Sequence, residues 1–441
     1  MKQKPDLSRT QLFNLSFGFF GVQIAYALQS GNNSRIFATI GADPHSLSYF
    51  WILPPLMGLI VQPLVGIASD RTWTRFGRRI PYLIFGALIA VIMMVLLPNT
   101  GSFSNTTSIA MVIGAVILMF LDTSLNMAMQ PFKMMVGDMV NEKQKGLGYA
   151  IQSFLVNLGQ VVGFALPFIL TYIGLSNSAE HGVPQSVKWA FFIGALILIA
   201  CVFYTISKVK ELPPDEFAQY QEPVNESKGN KAGVVELLRK APTNFWRVSL
   251  VQFFSWASFL LMWTYTTGTI SDTVWNSTNT ASKAYQEAGD WVGIVFAMEA
   301  VASVLWAAAL PAIENKFGLK FAYALSLIIG GVGFCLVPFI HDQWMLFLPF
   351  AFIGCAWAAM LAMPFTIVTN ALEGKSHMGT YLGLFNASIT IPQIVAGLTG
   401  GLVLTLVGGV QAHMMYVAGI SLILGSAFVY IIKEHSKLKT V

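Results

Sequence analysis

Asp122 is where chemistry in this chain can turn, because it breaks a long apolar run with a carboxylate. It stands in Phe120-Leu121-Asp122-Thr123-Ser124-Leu125-Asn126, and the run from Ser108 to Phe120 before it carries no charge. A helix starting there would sink Asp122 toward the middle of a bilayer, where an ionised carboxylate costs about 3 kcal/mol to insert. A carboxyl so placed is a functional candidate: it can take up a proton, release it, and accept hydrogen bonds from a solute. Asn126, one helical turn on, shares its face and can address the same partner. Glu299, in Phe296-Ala297-Met298-Glu299-Ala300-Val301, is the second acid deep in an apolar run. It is a candidate for proton handling or solute contact, against the plainer reading of a neutral Glu bonded to a neighbouring helix. No Lys or Arg is expected at comparable depth, so neither carboxylate has an obvious ion-pair partner.

A permeating solute rich in hydroxyls needs amides, carboxylates and flat apolar faces. The first apolar run supplies Gln23, Tyr26 and Gln29, and the fifth supplies Gln152, Asn157 and Gln160. Gln23 and Tyr26 share a face, and Gln29 adjoins Tyr26. Later come Trp256, Trp263, Trp306, Trp357, Asn370, Asn386 and Gln393. Amides also serve as glue between helices, and tryptophans near span ends form interfacial belts. The substrate-binding candidates are Gln23, Tyr26, Gln29, Asp122, Asn126, Gln152, Trp263, Trp357 and Asn386, with the two tryptophans as platforms for a sugar ring.

The elements that must carry these residues are membrane helices. Of 441 residues only 11% are charged and 55% are hydrophobic, against about 25% charged in a soluble domain; the mean hydropathy is +0.63. About twelve apolar windows are long enough to span a bilayer: 11–33, 46–69, 81–98, 108–131, 146–173, 187–207, 246–268, 289–311, 320–340, 344–368, 378–406 and 413–432. With both termini in the cytoplasm, Arg35, Lys188 and Lys283 are the only basic residues at the outside, and the rest of the 26 lie within. That asymmetry sets the orientation. The polar opening from Met1 to Thr10 points to a retained first helix without a signal peptide.

The three cysteines, Cys201, Cys335 and Cys355, sit in apolar runs without disulfide or zinc spacing. The six histidines, His45, His181, His341, His377, His413 and His435, fall near span ends or loops and form no metal-ligand constellation. No Gly-x-x-x-x-Gly-Lys loop is present, so ATP hydrolysis is not expected. Nor is a nucleophile and base pair visible; the chain reads as neither an enzyme nor a nucleic-acid binder, with no cofactor or metal.

Polar residues from Lys208 to Asn244 divide the chain into six-helix halves, 1–207 and 245–441, joined by a cytoplasmic linker, 208–244, in which Val234-Val235-Glu236-Leu237-Leu238 suits a short surface helix. The halves echo each other. Ser69-Asp70-Arg71 and Arg75-Phe76-Gly77-Arg78-Arg79 follow the second span; Asn315-Lys316-Phe317-Gly318-Leu319-Lys320 follows the eighth. Parallel repeats of six spans, with a substrate site near the midplane, are the pattern of major facilitator transporters. Asp70 and Asp138 can pair with Arg71, Arg78 or Arg79 as a cytoplasmic gate, each exposed pair contributing about 0 to 1 kcal/mol. These arginines also satisfy the inside-positive rule.

The chain resembles the sucrose-proton symporters of plants and their animal and bacterial relatives, in the glycoside-pentoside-hexuronide branch of the major facilitators. The likeness is carried by Gly21-Val22-Gln23-Ile24-Ala25-Tyr26-Ala27-Leu28-Gln29, Gly58-Leu59-Ile60-Val61-Gln62-Pro63-Leu64-Val65-Gly66 and Gly77-Arg78-Arg79, and by the Asp122 to Asn126 spacing. Met363-Pro364-Phe365, Leu384-Phe385-Asn386 and Ile391-Pro392-Gln393 also look familial. The resemblance implies an all-α membrane protein of twelve transmembrane helices with the major facilitator fold, Asp122 as the proton-coupling carboxylate and Asn126 as a sugar contact. There are departures. Trp263-Thr264-Tyr265 stands where plant members carry Asp-Thr-Asp, Glu299 stands in place of an amide, and the fifth span lacks a basic residue.

The expected activity is proton-coupled uptake of a disaccharide such as sucrose or maltose by alternating access. The carrier is expected to be a monomer in the cell membrane, either inner or plasma, with cytoplasmic termini. One alternative is sodium coupling, which would want acidic residues clustered near the cavity. Another is a non-transporting sugar sensor, which usually carries a long cytoplasmic extension, whereas the assigned tail runs only from Lys433 to Val441.

Overall fold

A computed structural model describes residues 4–433 apart from 142, 181, 214–215, 217–218, 221–233 and 373–377. His181, Pro214, His377, His435 and most of the tail lie outside the described residues. Among those described the structure is helical, and the sole β pairing is an isolated bridge between Thr74 and Gly77. The helices are α1 (Arg9–Ile40), α2 (Pro44–Phe50), α3 (Leu53–Arg71), α4 (Ile80–Leu96), α5 (Thr107–Met139), α6 (Lys145–Tyr172), α7 (Gln185–Lys208) and α8 (Val234–Arg239). There follow α9 (Thr243–Thr273), α10 (Lys283–Phe317), α11 (Leu319–Leu336), α12 (Phe347–Ala371), α13 (Met378–Phe385), α14 (Ala387–Leu406) and α15 (Gln411–Val429).

Among the described residues, 11 helical segments are long and apolar enough to cross a membrane. The 32-residue α1 is not one of them, because polar side chains punctuate it. It is nonetheless a well-terminated helix. Ser8 and Gln11 form a reciprocal capping box at its start, and Gly41, at φ 114°, takes the left-handed conformation that closes it. Proline lies inside α3, α5, α6, α10, α12 and α14, at Pro63, Pro131, Pro167, Pro311, Pro364 and Pro392. Each removes one backbone donor, which neighbouring helices make tolerable in a bilayer.

Two compact units emerge. The first contains Met1–Asp43, Leu56–Ser227 and Ser277–Ala297; the second contains Pro44–Pro55, Lys228–Asn276 and Met298–Val441. In the first, α1 runs against α5, α6 and α7, while α4 packs on α5 and α7. In the second, α9 packs on α14 and α15, α11 on α12 and α15, and α2 on α14 and α9. The turn glycines of the repeated loop behave alike: Gly77 has φ 116° and Gly318 φ 90°, a region that L side chains avoid.

Several helices run past the apolar windows of the sequence, and one extension changes the charge picture. The first window ends at residue 33, but α1 continues to Ile40 and carries Arg35 inside it, fully buried. Arg35 is therefore not an exposed outer residue. Its partner is Asp290 in α10, 3% exposed, with Nη1 to Oδ1 at 2.7 Å. This corrects two expectations together: Asp122 and Glu299 are not the only buried acids, and a buried cation is present. Hydropathy stops at Asn32-Asn33 because these residues are polar. The helix does not stop there, because the surroundings of those residues are protein.

Candidate functional site

The α5 helix buries Asp122 completely. Its Oδ1 accepts a hydrogen bond from Gln29 Nε2 of α1 at 2.7 Å, and Oδ2 has no partner among the described residues. Asn126 Nδ2 donates to the Asp122 backbone carbonyl at 2.8 Å, while its Oδ1 accepts from Gln62 Nε2 of α3 at 2.6 Å. Gln62 Oε1 in turn accepts from Lys133 Nζ at 3.3 Å. The sequence reading missed Gln62 and Lys133 as site members. A signal existed for Lys133: it stands three turns below Asp122 on nearly the same face of α5, about 16 Å along the axis.

The other first-unit amides divide. Gln23, 5% exposed, accepts from Gln160 Nε2 at 3.1 Å, so α1 and α6 share an amide pair. Tyr26 is half-buried, and its hydroxyl has no hydrogen-bond partner among the described residues. Gln152 donates to the Phe132 carbonyl at 2.8 Å and ties α6 to α5, the structural role open to any buried amide. Asn157 is half-buried and bonds to its own helix at Ser153.

In the second unit, Trp263 and Trp357 meet edge to face with centroids 5.8 Å apart, and both are half-buried. Around them stand Phe259, 5.0 Å from Trp357, and Trp256, 5.6 Å from Trp357. Trp51 from the link between α2 and α3 stacks on Trp263 at 5.9 Å and 19°. Trp51 was not a sequence candidate; hydropathy placed it within a span without a role. Glu299, 7% exposed, makes no side-chain hydrogen bond or ion pair among the described residues. Asn386 is exposed at the break between α13 and α14, and Asn370 is exposed near the end of α12. Gln393 bonds to its own helix at Ile389, and Trp306 donates to Ser326.

Asp70, Arg78, Arg79 and Asp138 converge where α3 and α5 end and α4 begins. Arg78 Nη2 lies 2.7 Å from Asp138 Oδ2, Arg79 Nε 3.0 Å from the same oxygen, and Arg79 Nη2 2.6 Å from Asp70 Oδ1. Arg79 also donates to Ser69 Oγ. Arg71 is exposed and joins no ion pair among the described residues, so of the three candidate arginines only Arg78 and Arg79 engage the acids. The unforeseen member is Glu211, just beyond α7. Its carboxylate accepts from the backbone N–H groups of Arg78, Arg79 and Ile80 at 3.0, 2.7 and 2.8 Å. Those donors are the unpaired ones at the start of α4, where a helix favours an anion. Gly77 permits the approach; a Cβ there would fall 2.6 Å from Glu211 Oε1.

Residues 36–432 match the family described as MFS/sugar transport protein. The chain is similar to Sucrose transport protein SUC4 of Arabidopsis thaliana, 21% identical with 90% of this chain and 85% of the relative covered. It is similar also to Sucrose transport protein SUT5 of Oryza sativa subsp. indica, 25% identical over 86% and 79%. Its fold matches the crystal structure of nucleoside transporter NupG with a TM-score of 0.69 at 16% identity, covering 97% of this chain and 99% of the other.

Proposed function

The chain belongs to the MFS/sugar transport protein family, a family of carriers and not of enzymes, and from that premise we propose that it is a proton-coupled symporter taking up a disaccharide such as sucrose or maltose. The sucrose transport proteins among its relatives support a glycoside substrate. The proposed architecture has twelve crossings, with α1 joining the 11 apolar segments; 32 helical residues reach about 48 Å, ample for a core of about 30 Å. The two six-helix halves, 1–207 and 245–441, would rock about the site with their termini in the cytoplasm.

One observation carries the proton assignment: among the described residues, Asp122 is wholly buried with one amide donor on Oδ1 and no partner on Oδ2. A carboxyl that exchanges a proton must be viable in both charge states. The Gln29 donor serves the anion, and the unpartnered oxygen is where a proton can reside. In the proposed cycle Asp122 loads a proton from outside and binds sugar hydroxyls together with Asn126, Gln29, Gln23 and Tyr26. Trp263 and Trp357 offer flat faces to the ring, and Glu299 is a second proton-handling group. The charged cluster of Asp70, Arg78, Arg79 and Asp138 gates the cytoplasmic side. Reorientation exposes Asp122 to the higher cytoplasmic pH, where the proton and the sugar leave. A proton crossing 100 mV supplies about 2.3 kcal/mol and one pH unit about 1.4 more, together enough for roughly a few-hundredfold accumulation.

The test is sugar uptake into proteoliposomes with the pH and sodium gradients imposed independently. Proton coupling predicts accumulation with an acid exterior whether or not sodium is present. Accumulation that follows sodium at constant pH contradicts it.

A further inference from the structure

Arg35 heads the fully buried side chains of the described residues by volume, and its setting is more elaborate than burial requires. Nη1 lies 2.7 Å from Asp290 Oδ1, Nε donates to Gln286 Oε1 at 2.8 Å, and Nη2 donates to Asn177 Oδ1 at 2.7 Å and to the Gln286 carbonyl at 2.9 Å. The second Asp290 oxygen accepts from Thr171 at 2.6 Å and from Asn177 Nδ2 at 2.9 Å. Gln286 Nε2 reaches Thr39 Oγ1 at 2.9 Å. The network thus joins the end of α1, the end of α6, the α6–α7 loop and the first turns of α10, all within the first unit.

Two glycines let α10 approach it closely. A Cβ on Gly289 would stand 2.5 Å from Arg35 Nε, and one on Gly293 would collide with the Phe164 carbonyl of α6. Small residues at four-residue spacing let helices approach closely, and Trp291 and Phe296 of α10 meet Phe168 and Phe164 of α6 edge to face at 5.8 and 5.5 Å. Beside these ring contacts, the desolvated Arg35–Asp290 pair is the polar tie that holds the first turns of α10 to α1. Losing either member of such a pair leaves the other charge buried and unpaired, so the contact depends on both.

Two further facts locate the device. The boundary between the two units falls inside α10, a continuous helix: Ser277–Ala297 belongs to the first unit and the chain from Met298 to the second. Arg35 also lies six residues beyond Gln29 on α1, about 9 Å farther along the axis. On the orientation read from the basic residues, the pair sits on the outer side of Asp122.

We propose that Arg35 and Asp290 are the outer gate of the carrier: the ion pair holds the first turns of α10 on α1 and α6, and must part in every cycle to admit sugar to Asp122. The inference rests on the transport reading, because a gate needs a cycle.

Two experiments test it. In a background with Cys201, Cys335 and Cys355 replaced by alanine, T39C and Q286C are joined with a short bis-maleimide while both charges remain in place. Uptake should fall at least tenfold on cross-linking, and the uncoupled double variant should transport. Cross-linked protein moving sugar at the unlinked rate overturns the gate, as does a pair that cannot be joined. Separately, S30C in the same background is labelled from outside with an impermeant maleimide, with and without D290N or R35Q. Neutralising either partner should raise labelling about fivefold or more in folded, monodisperse protein, and unchanged labelling overturns the proposal. Labelling does not depend on transport. A parent protein that moves no sugar therefore counts against the transport reading, and a transporting parent with unmoved labelling counts against the gate.

Discussion

Gln29 Nε2 and Asp122 Oδ1, 93 residues apart in sequence, lie 2.7 Å from each other inside the first unit, and among the described residues this is the one side-chain hydrogen bond that the buried carboxyl receives. The α1 helix thereby holds the carboxyl of α5 by a neutral donor. A cation in that place would fix its charge and end its use as a proton carrier.

Gln29→Leu should therefore strip the carboxyl of its donor. A buried polar group left unsatisfied costs about 1–3 kcal/mol, so the variant should unfold at lower temperature in detergent and transport more slowly. Differential scanning fluorimetry beside initial-rate uptake checks both effects.

Glu211 accepts from three backbone N–H groups at the start of α4. Glu211→Ala should destabilise the protein by about 1–2 kcal/mol, in the range of a lost helix cap, and Glu211→Gln by less. Thermal unfolding ranks the variants. Equal stability of alanine and wild type would show that solvent replaces the carboxylate without loss.

Trp357 makes edge contacts with Trp256 and Trp263. An aromatic contact is worth about 0.5–1.5 kcal/mol beyond its area; Trp357→Ala should therefore weaken sugar binding between about twofold and tenfold, while Trp357→Phe keeps most of the affinity. Isothermal titration with a panel of mono- and disaccharides measures this and identifies the preferred sugar.

Lys133 ends the chain Asn126, Gln62, Lys133. Lys133→Met removes the charge and keeps much of the length, so it should lower the rate of sugar release with a smaller effect on equilibrium binding. Counterflow and binding assays on the same preparation separate the two.

How much of this was readable from one sequence depends on range. Asp122 and Asn126 are four residues apart on one helix, so their shared face follows from helical geometry alone. Gln29 stood out as an amide in an apolar run, yet nothing local distinguished it from Gln152, whose amide ties two helices together through the Phe132 carbonyl. Arg78 and Arg79 announced themselves by the repeated loop, whereas Glu211 lies 133 residues from Arg78 in a stretch that reads as linker. Arg35 and Asp290 are 255 residues apart. Each looks like the flank of an apolar window, and only the tertiary fold turns two flanking charges into a buried pair. The helical, membrane-spanning character needed no such information, because it rests on apolar composition summed over long windows.

The most direct test of the central claim is the behaviour of Asp122→Asn in proteoliposomes, where net accumulation and sugar exchange are measured on the same protein. The substitution keeps the hydrogen-bonding shape beside Gln29 and removes the exchangeable proton. Loss of accumulation against a gradient, with exchange retained, is the predicted result. An accumulation ratio equal to that of the unaltered protein would contradict the assignment of proton coupling to Asp122.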